Sequence, residues 1–115
     1  MNAPHVKESD WKLFRRKIAD WQEAYITQLN REYIQILSRE GSSAQNFWDV
    51  EKRIRKDRRK VGVECEMRRS VMMTNIISLI DEGAISLDDL QEFSDELREQ
   101  VQYIFEVRKL LDGRR

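Results

Sequence analysis

The side chains that could do chemistry fall into a few groups along the chain. The densest is KRIRKDRRKVGVECEMRR, residues 52–69, with nine basic side chains against three acidic ones. A run of this kind can hold phosphates, orient an acidic protein surface, or form the solvated face of a helix. Its acidic counterpart lies later. Asp81, Glu82, Asp88, Asp89, Glu92, Asp95, Glu96 and Glu99 stand within residues 81–99, with Arg98 alone opposing. Carboxylates such as Asp88/Asp89 or Glu92/Glu96 could act as a paired acid and base only across a cleft, which nearness in sequence does not supply. As helix-start charges they need no further role.

The remaining candidates are sparse. Cys65 is the one cysteine. Its basic neighbours could lower its thiol pKa, but no histidine stands near it in sequence, and a half-buried structural thiol is the plainer reading. His5 is the one histidine and falls in the N-terminal tail, a poor place for a general base. One cysteine forms neither an intrachain disulfide nor a thiolate zinc cluster. Met67, Met72 and Met73 fit flexible core filling. DEGAISLDDLQE lacks the oxygen-ligand spacing of a calcium loop, and no phosphate-binding loop, dinucleotide fingerprint or serine elbow is present. The sequence therefore nominates no catalytic residue, no cofactor and no metal.

Helices must position whatever these residues do. The chain has 115 residues, 40% hydrophobic and 37% charged, with zero formal net charge, one Pro and four Gly. So few turn-forming residues and so regular an apolar pattern point to an all-α chain of one small helical bundle. Residues 1–8 read as a tail, 9–112 as a single helical domain and 113–115 as a second tail. Ser9 or Asp10 can cap a long first helix to about Arg39. On it Trp11, Phe14, Ile18, Trp21, Tyr25, Leu29, Tyr33, Ile36 and Leu37 recur at spacings of three and four, one stripe about 42 Å long. Gly41 is placed to end that helix. Ser42 or Ser43 can cap a second helix, Ser42 with Gln45 three residues on fitting a capping box; its apolar side carries Phe47, Val50, Ile54 and Val61, with Trp48 beside them. Asp57 falls where that stripe needs an apolar residue, so the core contact should thin there.

A third helix is expected over about 63–81, charged at first and apolar from Met67 to Ile80. Gly62 either breaks the helix there or only weakens it, by about 1 kcal/mol. Glu82-Gly83 closes it. Ser86 and Asp89 then form a capping signal, with Ile85 and Leu90 where a hydrophobic staple would pack, and a short helical turn follows. Ser94 caps a last helix bearing Leu97, Val101, Ile104, Phe105, Arg108 and Leu111, with Leu110 beside that stripe. Residues 63–111 should form the most compact unit, with the first helix lying across it or pairing with another subunit.

The segments SDWKLFRRKIADWQEAY, FWDVEKRIRKDRR and LIDEGAISLDDLQEFSDELRE together resemble a family of small helical bacterial proteins of the Firmicutes type, with no assigned function, over roughly residues 9–105. The resemblance implies a bacterial context and carries over no catalytic or ligand residue.

The functional expectation is a cytoplasmic, non-enzymatic interaction or regulatory module that self-associates or takes an acidic protein partner. Trp11, Phe14, Trp21 and Tyr25 would supply apolar burial. Lys52, Arg55, Arg58 and Arg59 would orient the partner, either another molecule or the 81–99 segment of the same or a second chain. The alternative is a nucleic-acid-binding regulator using the same basic residues on phosphates. No apolar run is long enough to span a bilayer.

Overall fold

The computed structural model describes residues 6–113. Within them the chain is all-α, with no strand among the described residues. Helix α1 spans Glu8–Leu37, α2 Ser43–Asp57, α3 Met72–Asp81 and α4 Asp95–Asp112; short 3-10 turns occupy Arg69–Val71 and Leu87–Leu90.

The thirty residues of α1 bury one side through Leu13, Phe14, Ile18, Tyr25, Leu29 and Ile36. The start of α1 differs from the expected cap. The helix begins at Glu8 after Lys7, without a side-chain cap. Asp10 is instead buried in the first turn, where it accepts the Ser94 backbone N–H at 2.9 Å and the Ser94 hydroxyl at 2.6 Å. Ser94 in turn accepts the Leu97 N–H at 3.2 Å. One carboxylate thus ties the starts of two helices together. Val6, assigned by sequence to the tail, packs partly against the core. The rest of that assignment, residues 1–5, and residues 114–115 of the C-terminal tail lie outside the described residues.

Local signals set the other ends. The α1 helix stops at Ser38, and Gly41 turns the connection with φ +115°, a region open to glycine. Ser42 accepts the Gln45 N–H at 3.1 Å, as the cap predicts, while the Gln45 side chain turns to Asp49. Gly83 adopts φ +81°, and Ala84 N–H reaches the Leu79 carbonyl at 2.9 Å. This is the Schellman end that a glycine after a helix makes possible. Asp89 accepts the Ser86 N–H at 2.8 Å, completing the capping box, with Ile85 and Leu90 buried around it.

The expected helix over 63–81 is shorter. Its first residues are irregular, and α3 starts only at Met72. The cause is a set of contacts from distant residues. The Glu82 carboxylate accepts the N–H groups of Val61 and Gly62 at 2.9 and 3.0 Å, and Gln22 donates to the Val61 carbonyl at 3.1 Å. Asn75 donates to the Glu66 carbonyl at 2.9 Å. These partners satisfy backbone groups that a helix would have paired internally. The charged run at 64–69 also offers no apolar stripe to reward helix formation.

The main core joins the first half of α1 to α3, the Leu87–Leu90 turn and the first half of α4. Phe14, Met72, Ile76, Leu79, Leu90 and Val101 lie at its centre. The first helix therefore does cross the 63–111 unit. Its second half leaves that core and pairs with α2, burying Leu29, Ile36 and Val50. The molecule is correspondingly elongated, 52 × 39 × 26 Å with a radius of gyration of 17.2 Å, against about 13 Å for a compact chain of this length.

Gly62 is where the arm meets the core. A Cβ there would stand 2.4 Å from the Tyr25 ring. Gly62→Ala should therefore destabilise by about 1–3 kcal/mol through overpacking and lower Tm in thermal denaturation followed by circular dichroism. An unchanged Tm would show that the ring yields freely and that the contact is not a constraint.

Candidate interaction surface

The α1–α2 arm holds most of the basic run and sets what it can do. Asp57, expected to thin the contact, is the buried node that secures it. It is 1% exposed. The Tyr33 hydroxyl donates to it at 2.6 Å, Arg53 Nε lies at 3.0 Å and Lys60 Nζ at 3.1 Å. Arg53 also reaches Glu32 of α1 at 2.7 Å. Burial pushes the Asp57 pKa up, but the Tyr33 hydroxyl, Lys60 and Arg53 outweigh it and hold the carboxyl below its ordinary value. Burial and the same carboxylate push the Tyr33 phenol well above its ordinary value, so it remains a donor. Burial pushes Lys60, which also lies over the Tyr25 ring at 6.0 Å, down, but Asp57 and Tyr25 together outweigh it and hold the ammonium above its ordinary value. Arg53 and Lys60 are thus structural cations.

Other basic residues remain on the outer face. Glu51 pairs with Arg55, four residues on, at 2.6 Å. Among the described residues Lys52, Lys56, Arg58 and Arg59 make no ion pair and are exposed. Glu64 and Arg68, also four apart, do not pair, since that stretch is not helical; Arg68 pairs with Glu66 instead. Asp49 lies 3.8 Å from Arg39 while Arg53 turns to α1.

Beside these cations lies apolar surface that α1 does not cover. Phe47 is 57% and Trp48 59% exposed, in edge-to-face contact with ring centroids 5.0 Å apart. Ile34, Leu37 and Ile54 are also exposed. Leu37, Phe47, Val50 and Ile54 line a groove of about 540 Å³, with Glu51, Arg55 and Arg58 at its edge. Arg55, Arg58 and Arg59 then share a shallower depression of about 290 Å³ with Glu64. Three of the four basic positions singled out in the sequence therefore come together; Lys52 does not line either hollow.

The aromatic half of the sequence-derived surface lies elsewhere. Phe14 and Tyr25 are buried, and Trp11 and Trp21 are half-buried. Trp11 stacks on Phe14 at 6.1 Å, and Trp21 meets Phe14 and Phe93 at 6.2 Å each. The expected aromatic contact edge is therefore largely covered within the monomer: Phe14 lies in the core with α3 and α4, Trp21 meets Phe93, and the Gly62 backbone packs against the Tyr25 ring. The residues that sequence reasoning passed over are Leu37, Phe47, Trp48 and Ile54. The signal for them was the apolar side of α2, wider than one short helix pair can bury.

The 81–99 acids do not face the basic run's side chains. Glu92 pairs with Lys17 at 2.7 Å, Glu96 with Lys7 at 2.9 Å and Asp81 with Arg108 at 2.9 Å. Hydrogen bonds from Lys17 and Lys7 hold Glu92 and Glu96 below their ordinary values. Each of these two acids has its own cation. Glu82 alone turns to the basic segment, and it binds backbone rather than side chains. For Cys65 the sequence expectation reverses: burial, then Glu82 and Glu66, push its thiol up. No group of three or more His, Cys, Asp or Glu among the described residues is placed to hold a metal ion, and His5 lies outside them. No helix among the described residues is long and apolar enough to cross a membrane. Comparison of the chain with protein-family models, curated proteins and solved structures finds no match in any of the three.

The Asp57 node has a pH signature. Its carboxyl is depressed in the folded state, so its stabilising effect is present above about pH 4 and is lost as pH falls through the folded value. Asp57→Asn leaves Arg53 and Lys60 without their buried counter-charge and should cost about 3–5 kcal/mol at pH 7. Urea unfolding at pH 7, 4 and 3 should show the gap from wild type narrowing as pH drops; a gap independent of pH would contradict the ionised node.

Proposed function

We propose that the protein is a non-enzymatic helical interaction or regulatory module of the bacterial cytoplasm, and that it self-associates through the α1–α2 groove. The observation supporting this is the pairing of uncovered apolar side chains with arginines on an arm outside the main core. Burial of Phe47, Trp48 and Ile54 supplies free energy roughly in proportion to the apolar area covered. Arg55 and Arg58 select a partner surface carrying carboxylates and set its orientation. Aromatic and arginine side chains in one patch are the usual anchors of such contacts.

A second reading draws on Lys52, Lys56, Arg58 and Arg59, which have no ion pair among the described residues. They could follow a phosphate backbone, and binding would weaken steeply with salt. The apolar groove beside them has no role in that reading.

Size-exclusion chromatography with light scattering, at low and high salt, tests the first reading. Wild-type protein should exceed the monomer mass. Ile54→Asp should reduce it at every salt concentration, and Arg55→Glu with Arg58→Glu should reduce it most at low salt. Unchanged mass in both variants would reject the groove as the contact surface. Retention of duplex DNA or RNA at low salt, lost in Lys52→Glu with Arg59→Glu, would favour the phosphate reading.

A further inference from the structure

The groove has a counterpart on the far side of α4. That helix buries Leu97 and Val101 in the core. Glu99, Tyr103, Glu106 and Leu110 follow at spacings of four, three and four, which sets them on the opposite face. Tyr103 is 66% and Leu110 70% exposed. Among the described residues Glu99 and Glu106 make no ion pair. This is an apolar stripe flanked by unpaired acids on a helix whose last turns reach beyond the core.

The groove's edge on α2 has the same spacing. Phe47, Glu51, Ile54 and Arg58 are also separated by four, three and four. Both stripes run about 17 Å at 1.5 Å per residue. Laid antiparallel, they set Phe47 against Leu110, Ile54 against Tyr103 and Arg58 against Glu99. Glu106 then falls opposite Glu51, whose charge Arg55 already offsets at 2.6 Å. Laid parallel, they would press Glu99 onto Phe47 and Glu106 onto Ile54, taking charges out of water without partners. Charge and apolar order therefore favour one direction.

We propose that the groove is filled by α4 of a second copy of this chain, antiparallel to α2, with Tyr103 and Leu110 as its anchors. The inference rests on the reading of the groove as the contact surface and names its occupant. The mode is a helix in a groove, recognised through side chains on one helical face. Each copy carries both halves, so a two-fold pair fills both grooves and closes the assembly.

Light scattering on the full chain tests the occupant. Leu110→Asp should return the protein to monomer mass while leaving its helical circular dichroism unchanged, because the side chain is exposed in the monomer; its Tm should no longer depend on protein concentration. Glu99→Arg and Arg58→Glu should each raise the dimer Kd roughly tenfold, and their combination should recover most of it. Ile54→Cys with Tyr103→Cys, on a Cys65→Ser background, should give a chain-to-chain disulfide when oxidised glutathione accepts the electrons, seen as a doubled mass on a non-reducing gel. If Ile54→Asp dissociates the assembly but Leu110→Asp does not, and no cross-link forms, the groove is an interface with another occupant and this inference is overturned. A wild-type chain that stays monomeric overturns it as well.

Discussion

The buried carboxylate of Asp57 holds the arm in place. A charge at that depth is costly unless its bonds are filled, and three side chains fill them from different parts of the chain. Tyr33 comes from α1, Arg53 from one turn earlier on α2, and Lys60 from the residues just beyond it. The arrangement sets how α2 lies on α1. The helix ends at Asp57, and Lys60 reaches back to it from the turn that follows. The following backbone then falls within reach of Glu82, and the chain is led back to the main core.

That constraint divides the molecule's apolar residues into two populations. Those on the first half of α1, on α3 and on the first half of α4 cover one another. Those on the arm are covered only where α1 and α2 touch. Two helices side by side bury one stripe each, and α2 carries more apolar surface than one stripe. The remainder, from Phe47 to Ile54, is left beside Arg55 and Arg58. The groove therefore follows from the same geometry that gives the molecule its elongated shape.

Legibility followed the range of the interaction. The caps at Ser42, Ser86 and Ser94 are made within three residues, and their residue types announce them. The stripe on the first helix was equally plain, since its period is a property of the chain alone. The role of Asp57 was not. By position it interrupts an apolar stripe, and only the arrival of Tyr33 and Lys60 turns the interruption into an anchor. The short α3 escaped for a similar reason. Glu82, Gln22 and Asn75 take over backbone groups of residues 61–66 from far along the sequence. Cys65 shows a similar dependence: Glu66 stands beside it in sequence, but its burial and the approach of Glu82 come only with packing.

The amino-acid sequence by itself determined that the chain is helical, where α2 and α4 begin, and that its charge is split between a basic middle and an acidic later segment. These depend on periodicity, capping chemistry and composition, which act over a few residues. Tertiary structure decided which aromatics are available. Trp11, Phe14, Trp21 and Tyr25 share a stripe with good reason to be either core or surface, and packing settles it: Phe14 joins the core with α3 and α4, and the turn at Gly62 lies on Tyr25. It also decided that the acidic segment serves Lys7, Lys17 and Arg108 rather than the basic run. Pairing of charges depends on distances through space, and those exist only once the helices have packed.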